Sequence, residues 1–240
     1  MIGCHCVVCR SRDPRDSRLR TSIHVRFDDG TSVLVDAGPD LRQQALAHRI
    51  SKVDAILFTH GHADHILGLD ETRRFNISGR AVKCYADATT LQDIRQTFGY
   101  VFDPSTPRGG GLPQLELIQI GPALDVNGHN IVPVPLLHGE RPILGYRFGP
   151  FAYLTDCSAI PEESWPLLHN LEVAVLDALR IRPHPTHFSL SEAIEAARRI
   201  AARRTLFTHM CHDLGHADTC ATLPEGMELA YDGLQLALRV

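Results

Sequence analysis

The first third of the chain alternates between apolar and polar positions. Ile23, Val25 and Phe27 interleave with His24 and Arg26, Asp28-Asp29-Gly30 interrupts, and residues 32–36 return, ending in Asp36-Ala37-Gly38. Period-two alternation around an Asp-Gly turn predicts a β-hairpin. Residues 55–59 (AILFT) are a short apolar run, read as a buried strand. A helix is expected from about Asp64 to just before Gly79. Another is expected over residues 90–98, capped by Thr89 or Thr90 and stopped at Gly99. Strand patterns then recur at residues 115–120, 131–137, 143–148, 151–155 and 172–177, with turns at Asn127-Gly128 and Gly149-Pro150. The clearest helix follows Ser189. Ser189 and Glu192 have capping-box spacing, and Leu190, Ala193, Ile194, Ala197, Ile200 and Ala201 share one face. Strands at residues 204–208, 228–231 and 234–238 complete the pattern. Residues 103–113, with Gly109, Gly110 and Gly111 in a row, predict a flexible rim or lid and not a domain boundary. The order strands, helix, strands, helix, strands predicts an α/β (α+β) chain with two sheets packed face to face and helices outside, an αββα sandwich.

Composition narrows the class. At 240 residues, 44% apolar and 22% charged, the chain fits one globular domain over residues 1–240. No apolar run approaches the ~20 residues of a membrane span. Residues 1–10 lack the charged-then-apolar pattern of an export signal, so a cytoplasmic protein away from membranes is expected. A net charge of −4 without a basic stripe argues against general nucleic-acid binding. The departure from ordinary composition is 14 His and 7 Cys, with Cys4, Cys6 and Cys9 crowded at one end. Without an export signal, that points to metal binding before disulfides.

The candidate chemistry begins where the AILFT strand ends. Thr59-His60-Gly61-His62-Ala63-Asp64-His65 places three imidazoles and a carboxylate in six residues, a ligand set suited to zinc, manganese or iron. The small Gly61 and Ala63 permit a tight turn. Further ligand-type residues follow other apolar runs: His138 after 131–137, Asp156 after 151–155 and His209 after 204–208. Cys4-x-Cys6-x-x-Cys9 supplies three thiolates for a structural zinc, which needs a fourth ligand. His5, Cys84, Cys157, Cys211, His212, His216 and Cys220 are the candidates. His212, three residues beyond His209, would let one short segment serve both sites. Cys157 lacks an activating base and is expected to be a small packed residue. His5, His24, His48, His129, His169 and His216 read as surface or packing residues, and Arg198, Arg199, Arg203 and Arg204 as a solvated helix face.

In this order, H-x-H-x-D-H, a lone His, an Asp and a last His resemble the signature of the metallo-β-lactamase-fold hydrolases over residues 21–240, and Asp36 in V-D-A-G matches its first part. The resemblance implies a four-layer αββα sandwich. It implies two divalent ions (Mn or Zn, or Fe), one held by His60, His62 and His138, the other by Asp64, His65 and His209, with Asp156 bridging. The chain is also similar to the subfamily of phosphoribosyl 1,2-cyclic phosphate phosphodiesterases of the carbon–phosphorus lyase pathway. That similarity implies a structural zinc on Cys4, Cys6, Cys9 and His212, and His187 in P-T-H-F-S-L as the catalytic acid, with Asp64 also at the reaction centre. Asp36, Asp177, Arg180 and His184 are placed behind the ligands or toward the substrate. The family usually begins with a β-strand and Gly-rich turn ahead of the cysteines. Here the sequence starts Met1-Ile2-Gly3-Cys4, so that first strand is expected to be lacking. The implied activity is hydrolysis of a small, cyclic phosphate ester by a metal-bound hydroxide, by a protein that acts alone or as a homodimer. A transfer-RNA 3′-processing nuclease, an ester, thioester or lactam hydrolase, and a non-catalytic metal-binding scaffold are the alternatives.

Overall fold

The structure is a computed structural model that describes residues 1–107 and 111–238, apart from the side chains of Ile77 and Ser78. Gly109 and Gly110 of the expected rim lie outside the described residues. The chain forms two compact units, one of residues 20–129 and one of residues 1–19 with 130–240.

In the unit of residues 20–129, β1 (Ile23–Arg26) and β2 (Ser32–Val35) form the expected hairpin, with Ile23 opposite Val35. Its turn is closed by the Asp29 carboxylate, which accepts from the Thr31 N–H at 2.8 Å, and by Gly30 at φ 83°. After α1 (Leu41–Ala47) come β3 (Ala55–Leu57), α2 (Ala63–Ile66), β4 (Val82–Ala86), α3 (Ala88–Thr97), α4 (Gly99–Phe102), β5 (Leu115–Gln119) and β6 (Leu124–Val126). The sheet runs β1-β2-β3-β4-β5 and is mixed, since every pair after the hairpin is parallel. Buried Leu34, Ile56, Phe58, Ile66, Leu69 and Ile94 form its core.

Two helix expectations are corrected here. The stretch from Asp64 to Gly79 is not one α-helix. It is α2 followed by a 3-10 segment, Leu69–Ser78, that ends at Gly79 in the left-handed region, φ 73°. The break falls at Gly68, where backbone packing overrides helical continuity. A Cβ there would collide with the Gly38 carbonyl, and the Gly68 N–H donates to Ala37 O at 2.8 Å. The cap of α3 is Asp87, not Thr89 or Thr90. Its carboxylate accepts from the Thr90 N–H at 2.7 Å, which places Thr90 inside the first turn.

The other unit contains β7 (His129–His138) apart from its first residue, β8 (Arg141–Phe148), β9 (Phe151–Leu154), β10 (Val173–Asp177), α5 (Leu190–Ile200), β11 (Arg204–Thr208), α6 (His216–Cys220) and β12 (Met227–Leu229). Its strands follow the order β12-β11-β10-β9-β8-β7. β7, β8 and β9 are antiparallel, and β9, β10, β11 and β12 are parallel. The last expected strand, residues 234–238, is irregular, and the one before it shortens to β12. Alternation at 234–238 had no partner strand to pair with among the described residues. Helix α5 is as read: Ser189 and Glu192 close the capping box, and Ala193, Ala196, Ala197 and Ile200 bury one stripe against a core that includes Leu154, Leu176 and Phe207. The parallel register matters most. Leu176 lies level with Leu154, and Asp177 with Thr208, so β9, β10 and β11 deliver Asp156, Asp177 and His209 to one edge. No helix among the described residues is long and apolar enough to cross a membrane.

Candidate metal centre

The 59–65 loop is held from behind by one carboxylate. Asp36 follows β2, is fully buried and takes φ 65°. It accepts from the Thr59 N–H at 2.9 Å, the Thr59 hydroxyl at 2.9 Å and His65 Nδ1 at 2.7 Å. Thr59 spends its only hydroxyl proton on Asp36, so its oxygen accepts from His60 Nδ1–H at 3.0 Å. Both rings are thereby fixed with the proton on Nδ1 and the lone pair on Nε2, the tautomer a metal requires. The His60 ring lies 4.4 Å from that of His62 and 4.3 Å from that of His65. Glycine makes the crowding feasible. A Cβ at Gly61 would collide with the Asp93 carboxylate, and one at Gly38 with the Asp64 carbonyl. The imidazole–carboxylate donor set in a loop this compact fits a divalent metal.

The strand-end cluster has the same plan. Asp177, also fully buried, accepts at one oxygen from His187 Nδ1 at 3.1 Å and from the Phe188 N–H at 3.1 Å. Its other oxygen is 3.8 Å from His209 Nδ1. The rings of His187 and His209 stack at 4.9 Å, and His138 meets His187 edge-on at 4.6 Å. His138 Nδ1 donates to the Thr186 carbonyl at 2.7 Å, which again leaves Nε2 as the ligand nitrogen. Burial, then the neighbouring His187, pulls the His138 pKa below its ordinary value and favours the neutral ring a metal binds. Asp156 accepts from the Thr155 hydroxyl at 2.7 Å and lies 3.3 Å from His209 Nε2. His138, Asp156 and His187 present ligand atoms within 4.8 Å of one another. Asp156 and His209 both take φ 57°, a conformation uncommon for non-glycine residues that recurs at functional sites.

Cys4, Cys6, Cys9 and His212 also bring their ligand atoms within 4.8 Å of one another, the dimensions of a tetrahedral zinc site. His212 Nδ1 lies 3.3 Å from Cys4 Sγ and 3.4 Å from Cys6 Sγ. The Cys9 N–H donates to Cys6 Sγ at 3.3 Å; this, with His212 next in weight, lowers the Cys6 thiol pKa to about 6 and favours the thiolate. Geometry chooses His212 from the open candidates. Cys84 and Cys157 are buried in the two cores, where burial pushes both thiols up. Cys220 approaches His216 Nδ1 at 3.9 Å, and Cys211 Sγ accepts from the Asp213 N–H. Cys157 is the packed residue expected.

Arg180 donates to the carbonyls of Arg182 at 3.1 Å and Pro183 at 2.7 Å, so it shapes its own loop. His184 sits 5.1 Å from His187, and its Nδ1 accepts from the Thr186 N–H at 3.3 Å. Sequence reasoning missed Thr59, Thr155, Thr186 and Arg18. A signal for two of these was present, because Thr59-His60, Thr155-Asp156 and Thr208-His209 repeat one pattern of apolar strand, Thr, ligand. Arg18 carried none.

A family model for the beta-lactamase superfamily domain matches residues 31–210. A Porphyromonas gingivalis (strain ATCC BAA-308 / W83) protein named octanoyltransferase is 37% identical over 238 residues, covering 98% of this chain and 48% of that protein. The chain thus spans about half the length of this curated relative. The crystal structure of a new diphosphatase from the PhnP family matches at a TM-score of 0.93 and 45% identity, over 100% of this chain and 92% of that one. Zn²⁺-bound PqqB from Methylobacterium extorquens matches at a TM-score of 0.78 over 99% of this chain and 95% of that one; at 20% identity the likeness is one of fold.

Proposed function

This chain belongs to the beta-lactamase superfamily domain family and has the α/β metallo-β-lactamase fold, two mixed sheets flanked by helices; from that premise we propose that it is a metal-dependent hydrolase that cleaves a P–O bond in a small phosphate diester or diphosphate. The family signature assigns His60, His62 and His138 to one ion, Asp64, His65 and His209 to a second, and Asp156 to both. Divalent ions held there would activate water and offset charge on the phosphate oxygens. The remaining work falls to the chain's own residues.

The observation that carries the reading is the pair His187–Asp177. Asp177 takes the His187 Nδ1–H across 3.1 Å and so leaves Nε2 on the side away from Asp177, as a group that gives a proton to a departing alkoxide or phosphate oxygen requires. Imidazole is the side-chain type that gives and takes a proton near neutral pH. Two residues on, Ser189 opens α5, whose positive dipole end favours an anionic group nearby. A small, cyclic ester such as phosphoribosyl 1,2-cyclic phosphate is the diester form of this substrate. The PhnP-family relative described as a diphosphatase supports the anhydride form. In this reading His184, and Arg180 through the loop that it shapes, serve the substrate side, and Cys4, Cys6, Cys9 and His212 hold a structural zinc.

The test is an assay of purified protein with manganese or zinc against bis(p-nitrophenyl) phosphate, a nucleoside diphosphate, a ribose cyclic phosphate, an acyl thioester and a β-lactam. Cleavage of one or more of the three phosphate compounds is expected. Cleavage of the thioester or the lactam alone, with none of the phosphate compounds cleaved, would overturn the proposal. The thioester arm is included because a relative is named octanoyltransferase.

A further inference from the structure

Arg18 bridges the cysteine end of the chain to the segment following β11. Its guanidinium donates to the Cys211 carbonyl at 2.9 Å and to the Leu214 carbonyl, and pairs with Asp16 at 3.2 Å. Asp16 in turn accepts from the His216 N–H at 2.7 Å. The Arg18 side chain is only 12% exposed and that of Asp16 9%. A charge held this far from water, with its acceptors on both sides of His212, shapes that turn and is not a solvated surface group.

The turn connects inward. The Cys211 N–H donates to the Leu179 carbonyl at 2.7 Å, and the Leu179 N–H donates to the Phe188 carbonyl at 2.9 Å. The Phe188 N–H is shared between the Cys157 carbonyl at 2.8 Å and, at 3.1 Å, Asp177, the carboxylate that orients His187. His209 lies two residues before Cys211 on the same segment. From the thiolate–His212 cluster the connection passes along the chain to Cys211 and then by hydrogen bonds through Leu179 and Phe188 to Asp177 and His187.

We infer that Arg18 is a positioning residue that ties the state of the Cys4–Cys6–Cys9–His212 cluster to the placement of His187 and His209. With the cluster closed on zinc and Arg18 seated, the 209–214 turn presents the Cys211 N–H to Leu179 and keeps Phe188 registered on Asp177. When a thiolate or Arg18 is lost, the turn relaxes, and the Asp177–His187 bond loses its support. The catalytic consequence rests on the function proposed above; the structural coupling does not.

Arg18→Met, Arg18→Lys and Cys9→Ser are compared with the metal-loaded wild type by zinc transfer to a chelating dye, by hydrogen–deuterium exchange of peptides covering residues 177–190 and 205–215, and by kcat and KM. Arg18→Met should release zinc about 10–100-fold faster, the usual cost of removing an outer support of a metal ligand. Both peptides should exchange faster in Arg18→Met and in Cys9→Ser. kcat should fall with KM nearly unchanged, and Arg18→Lys, which keeps the charge but not the forked reach to two carbonyls, should recover only part. Faster exchange confined to residues 205–215, or kcat unchanged while zinc is lost, would overturn the coupling. If Arg18→Met does not fold, Cys9→Ser decides on the same readouts. If the wild type hydrolyses no phosphate, the functional proposal fails, and exchange at residues 177–190 alone decides this one.

Discussion

Asp36 and Asp177 occupy equivalent chemical positions in two different settings. Each is a fully buried carboxylate at a strand end that accepts an imidazole Nδ1 proton, at 2.7 Å from His65 and 3.1 Å from His187. Asp36 serves a contiguous loop. Its three bonds all go to residues of the 59–65 motif, so it fixes a ligand set that was already local. Asp177 serves two separate segments, His187 and Phe188 ahead of α5 on one oxygen and His209 after β11 facing the other. The difference teaches that one device, a buried carboxylate behind an imidazole, can set the tautomer of a metal ligand in one place and aim a proton donor in the other.

The sharpest way to break the comparison is at the imidazoles. His187→Ala should lower turnover on the phosphate substrate by about 10²–10⁴-fold, the range of a lost general acid, with metal content by elemental analysis unchanged. A His187→Ala protein that keeps its rate would remove the proton-donor role and make Asp177 a purely structural partner. Asp36→Asn should act the other way. The amide cannot serve all the donors that Asp36 receives, and metal affinity, read by competition with a chelator, should fall about 10–100-fold. A metal-replete Asp36→Asn protein with a specific turnover loss would mean that the two carboxylates do the same job.

Gly61→Ala isolates the loop itself. The new Cβ would strike the Asp93 carboxylate, and overpacking of this kind costs about 1–3 kcal/mol, visible as a lower melting temperature and weaker metal binding. The smallest effect is on pH. His138 titrates below its ordinary 6.5 in the folded protein because it is buried and stands beside His187. As pH falls through 6.5 the unfolded chain takes up the proton first, so this residue's contribution to stability is full above that pH and declines toward the lowered folded value. The metal-free wild type should therefore lose more melting temperature on acidification than His138→Gln; equal pH slopes would count against a buried, neutral His138.

Much of this was legible because the relevant order is local. The 23–36 hairpin, the capping box at Ser189 and the H-x-H-x-D-H loop depend on residues within a few positions of one another. The stretch from Asp64 to Gly79 was misread for the opposite reason. Its helical pattern is interrupted by the backbone of Gly38, 30 positions away in sequence from Gly68, and no local period encodes that approach. The α3 cap was misplaced by two or three residues because Asp and Thr both suit that position, and only the observed bond to the Thr90 N–H separates them.

Residue chemistry and spacing by themselves determined the ligand types, their order along the chain and the strands that precede them. They also narrowed the fourth ligand of the cysteine cluster to a short set. Tertiary structure decided which of that set meets the three thiols, which carboxylate stands behind which imidazole, and that Arg18 braces the turn carrying His212. These depend on a parallel register and on contacts spanning up to 208 positions, where side-chain direction and not sequence distance determines what can touch.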